Sequence, residues 1–111
     1  MVVLNHGRDN VGIKVALQTI HGKELGMVSK TYGVLDRMLP IGDPRFPMLR
    51  YIDPYGNTIF NGQQMYPLLE ELDRLAEEFS SVEETDLLAH VRELAVHCRD
   101  HPHEFLRFIG D

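Results

Sequence analysis

Val11, Ile13, Val15 and Leu17 alternate with Gly12, Lys14, Ala16 and Gln18. A period of two puts one row of side chains on a single face, as in a half-buried β-strand. His21-Gly-Lys-Glu24 is polar and contains glycine, so it turns the chain, and Leu25 to Ser29 returns as the second arm of a hairpin. Val34, Leu35, Met38 and Leu39 fall at i, i+1, i+4 and i+5, which suits one or two helical turns stopped by Pro40. Gly42, Pro44 and Pro47 make the stretch from Ile41 to Pro47 a loop.

Met48-Leu-Arg-Tyr-Ile52 and Asn57-Thr-Ile-Phe60 flank Asp53-Pro-Tyr-Gly56. Asp at i, Pro at i+1 and Gly at i+3 match a type I turn. With β-forming residues on both sides, the pattern predicts a second hairpin.

Beyond residue 61 the period changes. Met65, Leu68, Leu69, Leu72, Leu75, Ala76 and Phe79 share one face at 3.6-residue spacing. Asn61 and Gln64 form a capping pair ahead of them, and Pro67 is tolerated only near the first turn. Ser81 with Glu84 caps a second helix, whose stripe is Leu87, Leu88, Val91, Leu94, Ala95 and Cys98 and whose end is set by Pro102. Phe105-Leu-Arg-Phe-Ile109 reads as a last strand. The pattern as a whole predicts a single α+β domain over residues 1–111. An antiparallel sheet of four to five strands, built from two hairpins plus a C-terminal strand, packs against two antiparallel helices of the C-terminal half.

Composition narrows the function classes. The 111 residues are 43% hydrophobic and 25% charged, near the globular average. Eleven basic residues are scattered among 17 acidic ones, for a net charge of −6. Nucleic-acid binding needs clustered Lys and Arg to displace counterions, so neither nucleic acid nor an anionic membrane is the expected partner. A basic protein surface or a cationic ligand suits the charge better. Cys98 is the one cysteine. No internal disulfide forms, and the thiol is expected to be buried and inert, as in a reducing compartment. The apolar run within Met1–Asp9 is too short for a signal peptide, and no stretch approaches the ~20 apolar residues that cross a bilayer. The expected location is the cytoplasm.

Asp53-Pro-Tyr-Gly-Asn-Thr-Ile-Phe60, Leu68-Leu-Glu-Glu-Leu72 and the ending Leu106-Arg-Phe-Ile-Gly-Asp111 together resemble a set of small uncharacterised bacterial proteins. They share a D-P-Y-G-[DN]-T-[VI]-F motif and a C-terminal L-x-F-x-G-D. The resemblance covers about residues 25–111 and implies the same compact fold. It carries over no activity, cofactor or catalytic residue. The set often has Asp where this chain has Asn57.

Three constellations carry chemistry. His90, His97 and His101 recur within about 40° on an ideal helix. His97 and His101 have the i, i+4 spacing of a helical metal pair. With a third ligand such as His103, just beyond Pro102, they define a candidate zinc or nickel site. The opposing reading is a row of structural histidines beside the apolar stripe, with no cofactor at all. Second, Asp36, Asp43, Asp53 and Asp111 are carboxylates of the loop-rich regions, able to do acid–base work only if two of them meet. Third, Arg50, Tyr51, Asp53, Tyr55 and Asn57 surround the turn, and Tyr and Arg beside a rigid turn are frequent interface anchors. No nucleophile elbow, Walker loop or dinucleotide fingerprint is present, and Gly7 and Gly12 are too isolated to cradle a phosphate. No catalytic residue is assigned. The expectation is a non-enzymatic protein-binding module of the inhibitor or immunity type. The alternatives are a metal- or small-ligand-binding protein using the histidines, and a homodimer pairing through leftover apolar helix surface.

Overall fold

The computed structural model describes residues 12–111. Met1–Asp9, Gly7 and Val11 therefore lie outside the described residues. The first alternating segment is strand β1 (Lys14–Thr19), and the polar turn after it returns the chain as β2 (Glu24–Val28). Gly22 sits at φ 84° in that turn, and Thr19 N–H donates to the Lys23 carbonyl at 2.9 Å. The expected single helical element is α1 (Val34–Met38), which ends as Leu39 turns to extended backbone ahead of Pro40.

The segment expected to be the first arm of a second hairpin differs. Leu49–Tyr51 is a 3₁₀ turn, and the strand after the Asp53 turn, β3 (Asn57–Asn61), pairs with the C-terminal strand instead. The reason is a carboxylate distant in sequence. Glu71, only 3% exposed, accepts from Met48 N–H at 2.9 Å and from Leu49 N–H at 2.9 Å. Amides drawn to one side chain are lost to a strand ladder, so the backbone coils there.

The two amphipathic stripes form α2 (Met65–Ala76) and α3 (Val82–Asp100). Asn61 N–H donates to Gln64 Oε1 at 2.8 Å while Gln64 N–H donates to Asn61 Oδ1 at 3.0 Å, the reciprocal cap expected. Pro67 occupies the first turn of α2, where a missing N–H costs nothing. Ser81 caps α3, accepting from Glu84 N–H at 3.2 Å. Arg92 on α3 bonds Asp73 on α2 at 2.8 Å, and Tyr66 lines a groove with Arg99. Early residues of one helix thus meet late residues of the other, so the pair is antiparallel.

Strand β4 (Glu104–Ile109) is central rather than terminal in space: the order is β2-β1-β4-β3, all antiparallel. Its alternation explains the placement. Leu106 and Phe108 are fully buried, and the Phe60 and Phe108 rings meet edge to face at 5.8 Å. Val15, Leu17 and Phe60 share that face, and the apolar sides of α2 and α3 join them in one core. Full burial of each Leu or Phe side chain contributes roughly 1.5–3 kcal/mol. Among the described residues, no helix is long and apolar enough to cross a membrane.

Candidate functional site

The Asp53 turn projects from the sheet end with its backbone fixed at several points. Gly56 N–H approaches the Asp53 carbonyl at 3.4 Å, and Asp53 Oδ1 accepts from Tyr55 N–H at 2.8 Å. Asp53 N–H donates to Thr58 Oγ1 at 2.9 Å. The C-terminal residues brace the turn from behind: Gly110 N–H donates to the Gly56 carbonyl at 2.6 Å and Asp111 N–H to the Pro54 carbonyl at 3.0 Å. A β-carbon on Gly110 would lie 2.5 Å from Pro54 backbone atoms, so only glycine permits this approach.

On that frame Tyr55 is 82% exposed and Tyr51 70% exposed. Asp53 and Asn57 are exposed and Arg50 half-buried. The Arg50 guanidinium stands 5.1 Å from the centre of the Tyr51 ring, a cation–π contact that restrains both side chains. Phe46, by contrast, is core. Of the residues expected to form a contact patch, four are exposed and Arg50, half-buried, lies against Tyr51. Glu71, through Met48 and Leu49, positions the part that carries Tyr51, and sequence reasoning missed it because a mid-helix Glu looks like solvated surface.

Two of the carboxylates converge on adjacent amides, and Asp43 is engaged elsewhere. Asp36 Oδ1 accepts from Ile13 N–H at 2.8 Å, while Asp111 accepts from Gly12 N–H next to it. Both serve as backbone acceptors at the start of β1. Asp43 pairs with Arg45 at 2.7 Å, and the Arg45 hydrogen bond holds its carboxyl below the usual carboxylate range.

The histidine row also divides. His90 lines a groove of about 460 Å³ between β2 and α3, with Met27, Val28 and Leu94. His97, in the last turn of α3, and His101, just past its end, have their rings stacked with centroids 4.0 Å apart and 12° between planes. Past His101 the chain reverses, with Glu104 N–H donating to the His101 carbonyl at 2.9 Å. That reversal carries His103 outward and brings Glu104, 8% exposed, against the pair: its Oε1 is 2.6 Å from His97 Nδ1. One nitrogen from each ring and a Glu104 oxygen lie within 4.8 Å of one another. The expected third member, His103, is not in this group. Glu104 stands just before the Phe105–Ile109 segment read as a strand, and nothing in the spacing marked it as facing His97. Cys98, one residue along the helix, points into the core, and burial followed by the nearby Glu104 charge pushes its thiol up to about 11. It is no thiolate ligand or nucleophile near neutral pH.

No protein-family model, no curated protein and no solved structure matches this chain.

Proposed function

We propose that this protein is a non-enzymatic protein-binding module that works in the cytoplasm, in the manner of an inhibitor or immunity protein that covers a partner's site. Its contact patch is Arg50, Tyr51, Asp53, Tyr55 and Asn57. One observation carries the reading: Tyr55 is held largely in solvent on a turn whose backbone is fixed by four hydrogen bonds of 3.0 Å or less, and the exposed Tyr51 ends the 3₁₀ segment just before it. A rigid aromatic loses little conformational freedom when it docks, so most of its burial energy appears as affinity. The net charge of −6 favours a basic partner, because complementary potentials speed encounter.

The test is a crosslinking pull-down from the source cells, followed by calorimetry on the recovered partner. A hot-spot tyrosine contributes on the order of 2 kcal/mol, so Tyr51→Ala and Tyr55→Ala should each weaken binding about 30-fold with unchanged melting. Recovery of no partner, or a partner bound equally by both variants, overturns the proposal.

A further inference from the structure

We propose that His97, His101 and Glu104 form a surface site for a divalent transition-metal ion of the nickel–zinc kind, separate from the turn patch. The two imidazoles ligate through Nε2, and Glu104 orients His97. The assignment follows from what each Nδ1 touches. His97 Nδ1 lies 2.6 Å from Glu104 Oε1, and His101 Nδ1 lies 2.8 Å from the His97 carbonyl oxygen. An ionised carboxylate and a carbonyl only accept, so both Nδ1 atoms carry the proton. In the neutral rings this leaves the lone pair on each Nε2, the form a metal takes. A carboxylate behind a ligating histidine is the usual support of a zinc-bound imidazole.

Distances allow the ion to enter. Metal–nitrogen bonds of about 2.0–2.1 Å put the donors of one tetrahedral ion about 3.3 Å apart. The two rings already lie side by side, 4.0 Å between centroids, and one nitrogen of each lies within 4.8 Å of the other. Both rings are exposed, and they must tilt out of their 12° stack so that the in-plane Nε2 lone pairs converge on one ion. A groove of about 300 Å³, lined in part by Ile20, His101, His103 and Glu104, opens beside His101 and leaves room for the ion's remaining water ligands. Cys98 Sγ is buried and directed at the Glu104 carbonyl at 3.5 Å, so it stays outside the donor set. Two imidazoles without thiolate suit nickel, copper and zinc. Magnesium and calcium, which demand oxygen ligands, are excluded.

The experiment is calorimetric titration of the full chain at pH 7.5 with NiCl2 and ZnCl2 separately, and MgCl2 as the hard-ion control. One equivalent of nickel or zinc should bind in the micromolar range, and magnesium should give no heat. His97→Ala and His101→Ala should each weaken binding at least tenfold, while His90→Ala and His103→Ala leave it unchanged. Glu104→Ala should cost about 10- to 100-fold, the usual effect of removing such a support. Glu104→Gln, whose amide oxygen still accepts from Nδ1, should recover part of that loss. Long-range ¹⁵N spectra of the metal-free protein at pH 8 should show both rings as the Nδ1–H tautomer. Binding weaker than about 100 μM for both metals, an equal loss in His103→Ala, or an Nε2–H tautomer at either ring overturns the site.

Discussion

Replacing Glu71 with leucine removes the carboxylate that shapes the backbone ahead of the exposed turn. Its two oxygens accept from Met48 N–H at 3.1 and 2.9 Å, and one of them also accepts from Leu49 N–H at 2.9 Å. Hydrogen bonds to a charged group contribute about 1.5–3 kcal/mol each, and an amide left buried without a partner costs about 1–3 kcal/mol. Against this, leucine relieves the desolvation of a carboxylate that is 3% exposed. The net loss is about 3 kcal/mol, a large part of the roughly 5–15 kcal/mol that holds a domain together. For a chain of 111 residues, roughly 4 °C per kcal/mol converts this to a melting temperature lower by about 12 °C. Glu71→Gln keeps one acceptor oxygen but loses the charge, and should fall about half as far. Circular dichroism melts of the three proteins in one buffer decide the matter. A leucine variant within about 2 °C of the parent would show that Met48 and Leu49 find other acceptors, and the account of the 3₁₀ turn would be wrong. Because the same amides position Tyr51, the Gln variant should also bind a partner more weakly than its stability loss explains.

Gly110→Ala sets a methyl 2.5 Å from the Pro54 backbone, which cannot yield, and should cost about 1–3 kcal/mol in urea unfolding. Gly26→Ala meets only the Leu94 Cδ2 end at 2.8 Å and should cost less; the opposite order would refute the bracing of the turn. Cys98, its thiol raised from 9.0 to about 11, should react with iodoacetamide at pH 8 about a hundredfold more slowly than the urea-unfolded chain. Arg92 holds the Asp73 carboxyl below its ordinary value of 3.8. A depressed carboxylate stabilises the fold above the unfolded value and loses that contribution as pH falls through the folded one. Both side chains are about half exposed, so Asp73→Asn should cost under about 1 kcal/mol at pH 7, and the gap should close below about pH 4 and in high salt.

Much of the fold was legible in the chain itself. The alternation ending at Leu17 marked β1, the stripes from Met65 and Leu87 marked α2 and α3, and Asn61–Gln64 and Ser81–Glu84 marked their starts. These signals are local: a period is set by side chains on one element, and a cap by groups three residues apart. The Asp53 turn was legible for the same reason, since Asp53 holds Tyr55 from two positions away.

What only the tertiary structure decided involves partners distant along the chain or brought round by a reversal. Met48–Ile52 has strand-forming residues, yet Glu71, 22 and 23 residues away from the amides it binds, coils Leu49–Tyr51 and sends β3 to β4. The i, i+4 spacing drew attention to His97 and His101, but the reversal at Pro102 chose Glu104 as their companion and left His103 outside the group. Periodicity states which face of an element is apolar; which polar group then meets which amide or imidazole depends on how the elements pack, and that is fixed only when the core closes.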